Sequence, residues 1–275
     1  MRDFMKTLDA QCALRKFLCI GLDPVLERIP EGEAPIVFLR RIIDATADIA
    51  SCYKPNFQFF LGLCLKGING IGVLEDTMRH IRQVAPAVPV ILDGKFGDIG
   101  TTNDATIKFV VENQVDAVTL NPYVGPEGLT PFLSRRELGC FILCRTSNKG
   151  SDWLQKRPLK DGTPLYEQVA YDVMTSWNAK GNCGLVVGAT FLPELAKVRH
   201  IVGHMPLLNP GIGTQGAEVG PTVQASQDGR GLGMLLNASS SIIYASREPD
   251  YPEAARAEAL RLHELIISSR KVIQP

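Results

Sequence analysis

Asp93, Lys95 and Asp98 stand close together in Leu92-Asp93-Gly94-Lys95-Phe96-Gly97-Asp98-Ile99-Gly100. Side chains two apart on a strand share a face, so the spacing predicts that Asp93 and Lys95 point the same way. Asp98 lies three residues further on, past Gly97, where the chain is expected to have left the strand. Lys54, in Tyr53-Lys54-Pro55-Asn56, closes another short run. Two lysines and two carboxylates would then form an alternating cluster. Opposite charges at close range hold each other ionised, so a lysine flanked in this way is expected to stay an ammonium. Such a cationic acid suits a reaction that builds negative charge on carbon and then needs a proton. A Schiff-base role would want a desolvated lysine with a lowered pKa, which the flanking carboxylates oppose. As an isolated pattern Asp-x-Lys-x-x-Asp is weak, and a structural salt bridge explains it equally well. Placement decides.

The elements around it alternate. Short apolar runs predict eight strands at Phe17–Asp23, Cys52–Phe57, Val88–Lys95, Ala117–Tyr123, Cys140–Ser147, Gly184–Thr190, Pro206–Gly213 and Gly233–Ser240. Helical periods predict helices over Pro35–Ala50, Gly70–Ala85, Thr102–Glu112, Pro126–Leu138, Pro164–Lys180, Pro193–His200 and Pro252–Arg270. Thr214 to Arg230 reads as an active-site loop. This is the pattern of an α/β chain built as a single (β/α)8 TIM barrel over residues 1–275. In such barrels the C-terminal strand ends build the active site. The predicted strands end in polar residues: Asp23, Lys54 with Asn56, Asp93 with Lys95, Arg145-Thr-Ser-Asn148, Asn209 and Asn237-Ala-Ser-Ser240. A strand meeting water explains one or two of these, but not the whole series.

A second constellation follows strand seven. Gly211-Ile212-Gly213-Thr214-Gln215-Gly216 offers backbone N–H groups in a turn. Phosphate sites in these barrels often lie after strands seven and eight, where amides cradle the oxygens.

Several classes are excluded or disfavoured. Lys plus Arg equals Asp plus Glu at 29 each, so there is no general electrostatic pull toward nucleic acid or an anionic membrane. Seven cysteines without a Cys-x-x-Cys fit buried free thiols better than a disulfide frame. The apolar stretch Phe17–Leu22 is too short for a secretory signal and runs into Asp23, and no run approaches the ~20 residues of a membrane span. A cytoplasmic protein is expected. His200 and His204 are four apart, but Val202-Gly203 and Pro206 mark a helix end, and no Cys, Asp or Glu stands beside them in sequence. No metal site is expected there. No nucleophile elbow, Walker or Rossmann fingerprint occurs, so no cofactor is expected.

Taken in order, Gly21-Leu-Asp-Pro24, Lys54-Pro-Asn56, Asp93-Gly-Lys-Phe-Gly-Asp98, Leu120-Asn-Pro-Tyr123, Arg145-Thr-Ser-Asn148, Val187-Gly-Ala-Thr190 and Pro210-Gly-Ile-Gly-Thr-Gln-Gly216 resemble the orotidine 5′-phosphate decarboxylase family, particularly its longer bacterial branch. The resemblance spans nearly the whole chain. It implies decarboxylation of orotidine 5′-phosphate to UMP, the last step of de novo pyrimidine synthesis, without cofactor. It implies that Lys95 stabilises and protonates a carbanion at C6, and that Asp93 sits near the departing carboxylate. Lys54 and Asp23 would contact the ribose, Ser147 the pyrimidine, and Gln215 a closing loop. Gly213, Ser239 and Ser240 would serve the substrate on the phosphate side. Asp98, with Ile99 and Thr102 nearby, would reach into the neighbouring subunit's site, which implies a homodimer.

One departure stands out. After strand eight the family resembles Asn-Ser-Ser-Arg or Gly-Arg, with the arginine paired to phosphate. Ser240 occupies that place here, lacking both the charge and the bidentate fork. Lys149 and Arg247 are the candidate replacements, and weak substrate affinity is expected. Two other readings are to be weighed: a metal-dependent sugar-phosphate decarboxylase or aldolase on the same barrel, and a catalytically idle nucleotide-binding barrel acting as a scaffold.

Overall fold

The computed structural model describes residues 2–213 and 218–271. Its strands are β1 (Leu18–Leu22), β2 (Cys52–Pro55), β3 (Ile91–Phe96), β4 (Ala117–Leu120), β5 (Gly139–Arg145), β6 (Cys183–Val187), β7 (Leu207–Pro210) and β8 (Met234–Ala238). All pair in parallel, in the order β2-β1-β8-β7-β6-β5-β4-β3. Two parallel bridges, Tyr53 to Val90 and Asn56 to Asp93, join β2 to β3 and close the circle. Strands covered on both sides need continuous apolar runs rather than alternation. Accordingly every residue of β1, β2, β4, β6 and β8 is buried.

The predicted strands all form, each shorter than expected. The residues trimmed from the C-terminal ends lie at the barrel mouth, Asp23 and Ser147 in loops and Ser240 at the start of a short helix, Ser240–Ile243. The helix expected to reach Leu138 stops at Leu133, and the one expected to reach Lys180 gives way after Asp172 to a π-turn over Val173–Trp177.

Three helices of eight residues or more correct the sequence reading. The connection read as loop from Thr214 to Arg230 carries a helix over Val219–Ser226, packed through Thr222, Val223 and Ser226; its small buried residues leave little hydrophobic period. Phe57–Cys64 forms a helix capped by Asn56, whose Oδ1 accepts from the Gln58 N–H. Phe4–Ala13 forms a third, capped by Asp3, with Phe4, Leu8 and Cys12 on its buried face. The Phe4 ring meets Phe141 edge-on at 5.6 Å and fills the space left by Gly139 at the start of β5. This helix therefore covers the N-terminal end of the barrel, opposite the mouth.

Six of the seven cysteines are buried, Cys64 being exposed, and all are free. Burial pushes the Cys12 and Cys183 thiols up to about 12, which keeps them protonated and inert. Among the described residues no helix is long and apolar enough to cross a membrane.

Candidate active site

The strand that carries Asp93 and Lys95 is not regular. Its pairing with β4 shifts register between Leu92 and Phe96, and Lys95 lies in the left-handed region with φ of 50°. The Lys95 N–H donates to Thr119 Oγ1 at 2.9 Å. A non-glycine residue held there costs on the order of 1–3 kcal/mol, which the surrounding structure must overcome. Strict alternation is therefore not what brings Asp93 and Lys95 together. The bulge turns the Lys95 side chain back toward Asp93.

Asp93 is the centre of the site. Its Oδ2 accepts from Lys54 Nζ at 2.8 Å, and its Oδ1 accepts from Lys95 Nζ at 2.7 Å and from Thr119 Oγ1 at 2.8 Å. The two lysines differ in exposure: the side chain of Lys54 is 5% exposed and that of Lys95 is 43% exposed. Lys54 is thus sealed inside while Lys95 presents its ammonium to the cavity. Burial on its own would raise the Asp93 carboxyl, but the charges of Lys54 and Lys95 outweigh it and hold Asp93 well below the usual carboxylate range. The same balance works for Lys54, where burial pulls down and Asp93 and Asp23 together raise it.

Asp23 behaves differently. Burial pushes its carboxyl up, against the pull of Lys54 and the Ser239 hydroxyl. Its Oδ1 is buried and, among the described residues, has no hydrogen-bond partner, which is uncommon for a buried acceptor. Gly21 is needed beneath it, because a Cβ there would occupy the position of the Ser239 side chain.

These groups form one side of a cavity of about 550 Å³ at the barrel mouth. Asp23, Lys54, Asn56, Asp93, Lys95 and Thr119 line that side, and Ser147, Gly211, Ile212, Ser239 and Ser240 line the other. Such a volume suits a small ligand with a few convergent polar groups. The loop that carries Ser147 is held from behind by Arg145. That guanidinium is fully buried and bonded to Ser151, Asp152 and Gln155, with the Phe191 ring 4.1 Å away. Arg145, a polar strand end in the sequence, is therefore a loop anchor outside the cavity lining. Asn209 is likewise turned into the wall, donating to the Val187 carbonyl and accepting from Ser226.

Other predicted site residues lie apart from this cluster. Asp98 is exposed and its Oδ1 accepts from the Ile99 N–H; Thr102 is exposed on the following helix. Neither lines the cavity of its own chain; within one chain the carboxylate that joins Asp93 beside the lysines is Asp23. Gly213 has φ of 88°, and a Cβ there would lie 2.6 Å from Ser241 Oγ. Gln215 lies outside the described residues. Lys149 and Arg247, the candidate replacements for the missing arginine, are both exposed and bond to no cavity residue among those described.

Thr119 escaped the sequence reading. The only hint was a hydroxyl inside the apolar run Ala117-Val-Thr-Leu120. His204, which has no acid beside it in sequence, is given one by the fold: its Nδ1 lies 2.9 Å from Asp228 Oδ2. Arg230 binds that same carboxylate oxygen at 2.7 Å, so the group is an ion-pair knot away from the cavity.

Comparison with known proteins agrees with this geometry. Residues 16–257 match the family described as orotidine 5′-phosphate decarboxylase / HUMPS. An orotidine 5′-phosphate decarboxylase of Janthinobacterium sp. is 44% identical over 255 residues, covering 90% of this chain and 92% of that protein. The solved OMP decarboxylase of Leishmania donovani superposes with a TM-score of 0.81 at 34% identity, covering 96% of this chain and 99% of that one. The UMP synthase of the same organism superposes with a TM-score of 0.86 at 36% identity, with 98% of this chain spanning 57% of that larger one. Eight parallel strands around a Lys54–Asp93–Lys95 cluster, with sequence likeness running across the barrel, place this chain in the orotidine 5′-phosphate decarboxylase / HUMPS family.

Proposed function

We propose that this protein decarboxylates orotidine 5′-phosphate to uridine 5′-phosphate, the last step of de novo pyrimidine nucleotide synthesis. The observation that carries the reading is Asp93 held ionised between a buried Lys54 and a cavity-facing Lys95. In the proposed reaction the bond from C6 to the carboxylate breaks, carbon dioxide leaves and the electron pair stays on C6. The Lys95 ammonium stabilises that pair and then supplies the proton that forms the C6–H bond. Asp93 holds Lys95 in place and faces the departing carboxylate. Lys54 and Asp23 take the ribose hydroxyls, Ser147 takes the pyrimidine, and Gly213, Ser239 and Ser240 lie toward the phosphate. Gln215 belongs to the loop that closes over the nucleotide.

A preorganised charge cluster acts most strongly where water is excluded, so binding energy from the remote phosphate is used to close the site. The chain is proposed to work as one barrel domain in a cytoplasmic homodimer. The exposure of Asp98 and Thr102 outside their own cavity supports a role for both in the partner's site.

The test is loss of orotidylate absorbance with purified protein, wild type beside Lys95→Ala. Turnover by the wild type alone is expected. No turnover by the wild type at saturating substrate would overturn the proposal.

A further inference from the structure

The cavity is electrically lopsided. Its inner side holds two ammonium groups and two carboxylates, while the side formed by Gly211, Ile212, Ser239 and Ser240 offers amides and hydroxyls but no cation of its own. A nucleoside monophosphate carries roughly −1.5 to −2 charges on its phosphate at neutral pH, and such a group calls for charge-assisted donors.

Arg28 stands directly behind that side. It ends the 3₁₀ turn Leu26–Arg28 that follows β1. Its Nη1 donates to Ser240 Oγ at 3.2 Å, and its guanidinium lies 4.0 Å from the centroid of the Tyr244 ring. Tyr244 is itself fixed: its hydroxyl accepts from the Val25 N–H at 2.6 Å and donates to the Asp23 carbonyl at 2.9 Å. Its ring also stacks on Phe38. Glu27, the acid next to Arg28 in sequence, turns instead to Lys66 at 3.0 Å. Among the described residues Arg28 therefore has a hydroxyl and an aromatic face as partners, and no carboxylate. Nearby, Ser241 Oγ is buried beside Gly213 and has no hydrogen-bond partner among the described residues.

A guanidinium that is half-buried, aimed at a cavity-lining hydroxyl and left without a counter-ion is a charge waiting for an anion. We propose that Arg28, acting beside and through Ser240, supplies the positive charge of the phosphate subsite. With its oxygen accepting from Arg28, the Ser240 hydroxyl is free to donate its own proton into the cavity. The remaining guanidinium N–H groups add charge behind it. The charge that the missing arginine at position 240 would have carried thus arrives from the neighbouring β1 loop, since β1 and β8 are paired.

The proposal rests on the nucleotide reading of the site, and its test separates the two. Binding of UMP, uridine and inorganic phosphate is measured by calorimetry on the intact chain for wild type, Arg28→Gln, and Arg28→Gln with Ser240→Arg. Loss of one charge-assisted hydrogen bond predicts that Arg28→Gln weakens UMP by about ten- to a hundred-fold. Uridine affinity is expected to stay unchanged, and the double variant to recover most of the UMP affinity. Unchanged UMP binding in Arg28→Gln overturns the assignment. So does an equal loss for UMP and uridine, which would make Arg28 a structural support for Tyr244. Arg28-dependent binding of inorganic phosphate by a wild type that ignores UMP and uridine would support the anion subsite and refute the nucleotide reading alone.

Discussion

Thr119 Oγ1 donates to Asp93 Oδ1 at 2.8 Å and accepts from the Lys95 N–H at 2.9 Å. One hydroxyl thus ties the carboxylate at the centre of the site to the strained backbone that aims the lysine. Thr119→Val keeps the shape and removes both bonds. With Asp93 and Lys95 less firmly placed, kcat is expected to fall roughly ten- to a hundred-fold. KM should change little, because Thr119 is a positioning residue that only borders the cavity. Thr119→Ser should recover most of the rate. A KM rise with kcat intact would contradict this role.

Breaking the Lys54–Asp93 pair should destabilise the fold. Removing one partner of a buried ion pair typically costs about 3–5 kcal/mol, since a desolvated charge is left behind. Asp93→Asn is expected to lose stability on that scale in urea denaturation, and Lys54→Met in the same chain should restore part of it. If the double variant is no more stable than Asp93→Asn, the two charges are not energetically coupled.

Acid should weaken the fold through Asp228. Burial would raise this carboxyl, but Arg230, the Leu232 and Arg230 amides and His204 hold it down at about 2, below the ordinary value of 3.8. The unfolded chain then binds more protons between these values, so stability rises with pH through the window and is lost as pH falls toward about 2. Asp93, which burial alone would raise but Lys54 and Lys95 hold below the ordinary carboxylate value, acts in the same direction. Asp23, raised by burial, acts oppositely: its contribution is present in acid and fades as pH climbs through its raised pKa. Asp228→Asn should flatten the pH dependence of unfolding in acid and leave turnover intact. An unaltered slope would show that this knot does not govern acid sensitivity.

Sharing of Asp98 across a dimer can be read by mixing subunits. Asp98→Ala and Lys95→Ala are each expected to be nearly inactive. Co-refolded in equal amounts, they should regain roughly a quarter of wild-type activity, because half the dimers are mixed and each mixed dimer has one intact site. Absence of complementation, in a mixture shown to contain mixed dimers, would place Asp98 outside the partner's site.

Chelation separates this reading from a metal-dependent sugar-phosphate decarboxylase on the same barrel. Turnover of orotidylate should survive dialysis against EDTA unchanged. Activity lost there and restored by magnesium would favour the rival.

Much of the architecture could be read directly from residue order. Eight apolar runs separated by helical periods specify a parallel barrel, because strands covered on both faces must be apolar throughout and their crossovers must be amphipathic. The polar residues closing those runs marked the mouth, and Lys54, Asp93 and Lys95 were legible as one constellation. A helix such as Phe4–Ala13, with Asp3 before it and Phe4, Leu8 and Cys12 four apart, is legible by the same rule. Other features depend on distances through space that no local pattern encodes. The bulge at Lys95, Asp23 beside Lys54, and Thr119 beneath Asp93 arise where β1 to β4 converge. Arg28 reaches Ser240 across 212 positions of sequence. Periodicity reports which face a side chain takes, since that follows from the backbone repeat. Which charged group meets which depends on barrel closure, and closure joins residues that sequence keeps far apart.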